Sequence, residues 1–247
     1  DGWYTRSRDQ VALDNSKEVA EKAASRALAR LGSRKISTQS VPVIFDAQNA
    51  TSLLRSLVNG ISGSSQYRKS TFLLDKKGEK LFPDNINISE KPHIKKAIGS
   101  TPFDNDGMAT SDRFIILDGV LQGYVLSAYS ARKLNMKPTG NAGGVHNLII
   151  EPGPDSLDSM IKSMGKGLLV TELIGFGVNQ VTGDYSRGAA GFWIENGEIQ
   201  HPVEEITIAG NLAEMYMHIV TTGNDTDTRG NIQSGSIWIE NMTVAGN

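Results

Sequence analysis

Two dipeptides, Asp118-Gly119 and Asn196-Gly197, each sit between apolar runs: SDRFIIL and VLQGYVLS flank the first, GFWIE and EIQHP the second. Two-residue loops of this kind take up positive φ at both positions and match the twist of the strands they join, so each marks a tight hairpin. A chain punctuated this way is committed to antiparallel pairing over much of its length. Glycine adds to the signal: 26 of 247 residues, against a usual ~7%, point to many turns and close backbone approaches. A third hairpin is expected in STFLLDKKGEKLFP around Lys77-Gly78.

Helices are fewer. SKEVAEKAASRALARL, residues 16 to 31, places Val19, Ala20, Ala23, Ala27, Leu28 and Leu31 on one face, with Asp14, Asn15 or Ser16 to cap it and Gly32 to end it. NATSLLRSLVN, residues 49 to 59, carries Leu53, Leu54, Leu57 and Val58 on another face. Shorter helices are expected in AYSARKLN, DSLDSMIKSM and NLAEMYMHIV, and strands in VPVIFD, GGVHNLIIEPG, GLLVTELIG, EITIAG and GSIWIENMTVAG. Strands outnumber helices, which makes the expected fold α+β, a largely antiparallel sheet with several flanking helices. Residues 1–247 read as one domain with a helical start (about 13–66) and a β-rich remainder. The opening DGWYTRSRD reads as a cut through a longer protein.

Composition narrows the chemistry. A formal charge of −2 supplies no basic face for nucleic acid, and Arg68-Lys69 and Lys95-Lys96 are too short to make one. No apolar run approaches the ~20 residues that span a bilayer. With no cysteine there is no disulfide, no thiolate zinc site and no cysteine nucleophile, a pattern that fits the cytoplasm. His93, His146, His201 and His218 are far apart and form no HExxH pair; Glu214 and His218, one helical turn apart, are only two groups. No G-x-S-x-G elbow, Walker loop or dinucleotide glycine motif occurs, and Glu204 and Glu205 are adjacent, so in a strand they face opposite ways.

Several long segments together resemble one family. YRKSTFLLD, STPFD, LSAYSARKLN, TGNAGGVHN, MGKGLLVTELIGFGVN, GDYSRGAAGFWIENGEIQHPVEEITIAGNL and VTTGNDTDTRGNIQSGS are similar to the PmbA/TldE proteins of the TldD/PmbA metallopeptidases, over about their C-terminal half. The resemblance implies a TldD-like partner and a cytosolic heterodimeric zinc peptidase acting on unfolded or small peptides. TldD carries H-E-x-x-x-H on a helix, and TldE lacks it. At the corresponding helix Arg55 stands in place of the first histidine, Ser56 of the glutamate and Gly60 of the second histidine; Ser234 stands where TldD contributes a further ligand. A fixed cation repels Zn²⁺, a hydroxyl is no general base near neutral pH, and glycine offers no ligand. No metal and no catalytic residue is therefore expected in this chain, and zinc belongs to the partner.

The stretch TGDYSRGAAGFWIENGEIQHP, residues 182 to 202, has two readings. It is a glycine turn and hairpin in a sheet core, or it borders the partner or peptide cavity through Asp184, Tyr185, Ser186, Arg187 and Trp193. In the second reading an extended peptide adds as a strand to an exposed edge, and either Phe192 or Trp193 is exposed at an interface. Three functions follow: a non-catalytic subunit, an independent peptidase whose active residues lie in an absent N-terminal half, or a regulatory protein-binding module, as the family's gyrase-modulator label suggests. A homodimer of the fragment is a further expectation.

Overall fold

The computed structural model describes residues 1–246. Helix α1 (Ser16–Ala29) begins in a capping box between Asn15 and Glu18. Strand β1 (Gln39–Phe45) leads into α2 (Ala47–Gly60), which Asp46 caps, and the short α3 (Gly63–Tyr67) follows. Next come β2 (Ile88–Glu90), β3 (Arg113–Leu117), β4 (Val120–Leu121), α4 (Ala128–Lys133) and β5 (Leu148–Ile150). The remainder is α5 (Leu157–Met164), β6 (Gly167–Ile174), β7 (Asp184–Glu195), β8 (Glu198–Asn211), α6 (Leu212–Met217), β9 (Ile219–Thr222), β10 (Ile232–Gln233) and β11 (Ile237–Ala245).

The larger sheet runs β1-β6-β7-β8-β11-β9, and β1 also pairs with β11, so β1, β6, β7, β8 and β11 close into a ring. Closure gives each of these five strands a partner on both sides, although β8 meets β11 only over Thr207–Ala209 and β6 meets β1 only over Leu168–Val170. The stretches paired on both sides are protected from intermolecular pairing. Only β1–β6 is parallel within this sheet. The smaller sheet runs β10-β5-β2-β3-β4, with β10–β5 parallel and the rest antiparallel. The α+β fold with a largely antiparallel sheet is what the hairpin signals require. Both turns adopt left-handed conformations at each central residue, φ 49° and 76° at Asp118 and Gly119, 55° and 73° at Asn196 and Gly197.

Three elements depart from expectation. Around Lys77-Gly78 there is no hairpin: Gly78 N–H donates to Leu121 O, and Leu81 and Phe82 N–H donate to Gly119 O. The backbone of this segment is satisfied by the β3–β4 hairpin, so it has no need of a partner strand of its own. The helix expected through residue 220 stops at Met217, because Ile219–Thr222, β-branched throughout, pairs with β11 as β9. Helix α1 forms as expected but buries none of its residues; Leu28 and Leu31 are 66% and 71% exposed. Its contacts are made by charged side chains: Arg30, just past its end, pairs with Glu172 of β6 at 2.5 Å, Arg26 pairs with Asp1 at 3.2 Å, and the Lys22 ammonium lies 4.5 Å from the Trp3 ring centre.

The main core joins the larger sheet, α2 and the smaller sheet in one buried cluster. Leu53, Leu54 and Leu57 pack with Val43, Phe45, Val170, Tyr185 and Ile239. Tyr216 lies nearly parallel to Phe82, with ring centres 4.8 Å apart, and donates its hydroxyl proton to Leu53 O at 2.9 Å. That bond ties α6 to α2 and satisfies a buried phenol.

Candidate functional site

Helix α2 is built from an acidic cap and an apolar stripe. Asp46 Oδ1 accepts from both Asn49 N and Asn49 Nδ2 at 2.8 Å, while Ala50, Leu53, Leu54 and Leu57 turn inward. Arg55 points to solvent. Ser56 is buried, and its hydroxyl donates to Ser52 O at 3.1 Å. Gly60 is enclosed: its carbonyl accepts from Gln66 Nε2 (2.9 Å) and Thr71 Oγ1 (2.8 Å), and an added Cβ would stand 2.9 Å from Leu73 Cδ1. Ser234 is fully buried and donates to Gly235 O at 2.7 Å.

These four positions do not fit zinc. They comprise one cation, two hydroxyls already engaged with backbone carbonyls and a residue with no side chain, and the outward Arg55 and enclosed Gly60 do not face a common space. The histidines supply no replacement. His93 Nε2 meets Thr110 Oγ1 at 3.0 Å, His146 Nε2 meets Gly140 O at 3.1 Å, and His218 Nδ1 meets the Glu214 carbonyl at 2.8 Å. No cluster of three or more His, Asp or Glu side chains suited to a metal occurs among the described residues.

The stretch from 182 to 202 forms the centre of the ring. Strand β7 pairs with β8 throughout and with β6 from Gly188 to Ile194. Its remaining side is covered by the 175–183 loop, where Ser186 N–H donates to Gly177 O at 2.7 Å and Asn179 N–H to Asp184 O at 2.8 Å. No free edge remains on β7 for an added strand. Trp193 is 6% exposed, with the Lys166 ammonium 5.7 Å from its ring centre, and Phe192 is half-buried, so neither aromatic stands out as an exposed anchor. Tyr185 is buried edge-on against Phe45, which pushes its hydroxyl pKa up. Asp184 and Ser186 are exposed, with Asp184 accepting from Thr182 Oγ1 at 2.6 Å; Arg187 is half-buried. The five positions thus divide between the two faces of one strand.

A cleft of ~390 Å³ lies at the N-terminal end of α2, against α1 and the loop 225–229. Arg229 organises one wall. It grips Asp227 through Nε (2.9 Å) and Nη2 (2.7 Å), and its guanidinium lies 3.9 Å from the Trp3 ring centre and 4.5 Å from that of Tyr4. Burial works to raise the Asp227 pKa, but the bonds from Arg229 outweigh it and hold the carboxyl below its ordinary value. Asp225 is spent on Ser236, accepting from N at 2.8 Å and Oγ at 2.6 Å. Asp46, Lys22 and Arg26 are the other charged residues of the lining. Both signs of charge face the cleft, and no nucleophile stands beside a base, so the arrangement suits binding rather than bond cleavage.

Asp46 behaves differently from Asp227. Burial raises its pKa, against the Asn49 bonds and the Arg26 charge. A raised folded-state pKa favours the protonated fold, so native stability is greatest below the unfolded-state pKa and falls as pH rises through the folded one. Asp46→Asn keeps a cap acceptor and removes the buried charge. It is expected to raise the thermal midpoint at neutral pH, with the difference from wild type closing in acid; calorimetry at both pH values checks this.

Residues 38–246 match the family described as the PmbA/TldA metallopeptidase C-terminal domain. The chain belongs to the PmbA/TldD metallopeptidase family. It is 54% identical over 243 residues to "Metalloprotease PmbA" of Escherichia coli O157:H7, a match covering 98% of this chain and 54% of the relative. A crystal structure from Thermotoga maritima, of a protein named for a proposed modulation of a DNA gyrase, superposes with a TM-score of 0.92 at 34% identity, covering 99% of this chain and 58% of the other. TldE from Thermococcus kodakarensis superposes with a TM-score of 0.83 at 26% identity, covering 96% and 57%. The chain therefore spans about half the length of the relatives it matches.

Within the PmbA/TldD framework, the cleft at the start of α2 is the feature that sequence reasoning missed. Its carboxylates lie at Asp46, Asp225 and Asp227, and only the run DTDTR at 225–229 hints at them. A dense alternation of Asp and Thr marks a loop, but nothing in it says that the loop returns to the cap of a helix nearly two hundred residues earlier.

Proposed function

We propose that this chain is the C-terminal part of a non-catalytic subunit of a zinc metallopeptidase, paired with a TldD-like subunit that holds the metal and acts on unfolded or small peptides. The observation that carries the reading is the state of α2, where the helix that would bear the metal motif presents Arg55, Ser56 and Gly60. The family's metallopeptidase name and the likeness to a protein named TldE support it. In this reading residues 1–247 act as one domain, in the cytoplasm, with no nucleic-acid or membrane partner and with a homodimer as the substitute assembly when TldD is absent. No helix among the described residues is long and apolar enough to cross a membrane.

The test is zinc analysis of the purified chain, alone and with a TldD-like partner, beside cleavage of an unfolded peptide. Sub-stoichiometric zinc and no cleavage alone, with cleavage on adding the partner, is the expected result. Because the chain spans about half of relatives named metalloproteases, an independent peptidase with its active residues elsewhere in a longer protein is the rival. Cleavage by the partner-free full-length protein would establish that rival instead.

A further inference from the structure

The corner where α3 meets α4 carries a pair of aromatic rings with a cation at either end. The Tyr67 and Tyr129 rings meet edge to face with centres 5.9 Å apart. The Arg68 guanidinium lies 5.5 Å from the Tyr67 centre, and the Lys133 ammonium lies 5.7 Å from that of Tyr129. Lys69 and Arg132 stand beside them, all four cations are exposed, and Tyr129 is 53% exposed. None of the four forms an ion pair among the described residues, in a chain whose net charge is negative. Among the described residues the carboxylate nearest in this corner's hydrogen bonding is Asp106, which accepts from Ala128 N at 2.9 Å at the start of α4, away from Arg132 and Lys133 at its end.

The row is held rigidly. Gly63 N–H donates to Val125 O at 2.8 Å, and Gly63 lies so close to α4 that an added Cβ would meet Ser130 Oγ at 2.3 Å. Exposed cations on one corner without counter-charges leave a positive local potential, and a docked anion relieves it. We propose that this corner binds acidic peptide segments, with the Arg68 and Lys133 side chains as the principal contacts. Arg68 spends only Nε on the Tyr67 hydroxyl, at 3.2 Å, which leaves its two terminal nitrogens for a carboxylate in the bidentate geometry that guanidinium favours. Nucleic acid fits less well. Base recognition in single strands needs an open ring face for stacking, and here each ring is engaged by a cation and by the other ring. The site does not depend on the pairing or the zinc of the partner subunit, so binding is read on this chain alone.

Titration calorimetry of the 247-residue chain with a hexaglutamate peptide, a hexalysine peptide and a single-stranded oligonucleotide tests the assignment. Hexaglutamate is expected to bind, with affinity falling on the order of 10-fold between about 50 and 300 mM salt, as screening of exposed charges requires. Arg68→Glu with Lys133→Glu is expected to weaken it by about 10-fold or more, whereas Lys17→Glu on α1 leaves it unchanged. Unchanged melting of the double variant confirms that it folds; if it does not, Arg68→Gln with Lys133→Gln serves instead. Absence of hexaglutamate binding, equal binding by the double variant, or tighter binding of the oligonucleotide would overturn the proposal.

Discussion

Replacing Gly191 by alanine is expected to destabilise the protein by about 3 kcal/mol or more, since a well-packed interior answers added volume with backbone shifts. Gly191 lies in β7, opposite Val170 of β6 and Val203 of β8. A Cβ there would stand 1.8 Å from Leu169 O, 2.9 Å from Leu169 C and 3.0 Å from Val170 Cα. All three atoms are backbone, so no rotamer change relieves the clash, and β6 must move away from β7. Because both strands belong to a closed ring, the displacement passes to β1 and β8. Gly188→Ala on the same strand is the control. Its Cβ would meet Ile174 Cβ at 3.2 Å and Ile174 O at 3.5 Å, a far smaller overlap than the 1.8 Å approach at Gly191. Urea unfolding of the two variants checks the contrast, and equal midpoints would contradict the account.

The second large effect is expected at a buried charge. Glu90 of β2 is 2% exposed and is the hub of a fully satisfied network. Its Oε2 accepts from Arg113 Nε at 2.8 Å, and its Oε1 accepts from Asn141 Nδ2 and His146 N, both at 2.7 Å. Arg113 in turn donates to Tyr124 O (2.9 Å) and Asn141 Oδ1 (2.8 Å). The network fastens the TGNAGGVHN loop to the smaller sheet. Glu90→Ala strands the Arg113 guanidinium and removes the acceptor of two loop donors, a loss of about 3–5 kcal/mol by the usual cost of breaking a buried pair. Removing both charges in Glu90→Met with Arg113→Met is expected to recover only part of it, because Asn141 and His146 still lose their acceptor. Chemical denaturation of the two variants separates these terms. Full recovery in the double variant would mean that the ion pair alone carries the stability.

Much of the local structure was legible in the residues. The Asp-Gly and Asn-Gly turns announced their hairpins because few dipeptides tolerate two left-handed residues in succession. Of the three cap candidates before α1, Asn15 is the one used, because its side chain satisfies a backbone donor that a helix leaves free. The Asp46 cap of α2 was not legible, since residues 41–46 look like strand and the helix starts two residues before position 49. The false hairpin at Lys77-Gly78 shows the limit of such signals. A Lys-Gly pair permits a turn, but the strands beside it form only if no other backbone competes, and here Gly119 and Leu121 compete successfully. Likewise the apolar stripe of α1 is a correct helical period without a buried face, since period reports conformation and burial depends on what lies opposite.

The chemistry divides along the same line. The residue types at positions 55, 56, 60 and 234 were enough to deny zinc a set of ligands, because donor capacity belongs to the side chain and no fold adds it. Whether Tyr185, Arg187 and Trp193 face solvent was a tertiary matter, settled when β6 and β8 flanked β7 and the 175–183 loop covered its remaining side. So was the cleft, which joins Asp46 to Asp227, and the Tyr67–Tyr129 row, which joins two short helices far apart in the chain. Local turns and caps are decided within a few residues, by sterics and by the nearest donor and acceptor. Ring closure between β1 and β11 depends on contacts between strands about two hundred residues apart in sequence, and only the assembled tertiary structure brings them together.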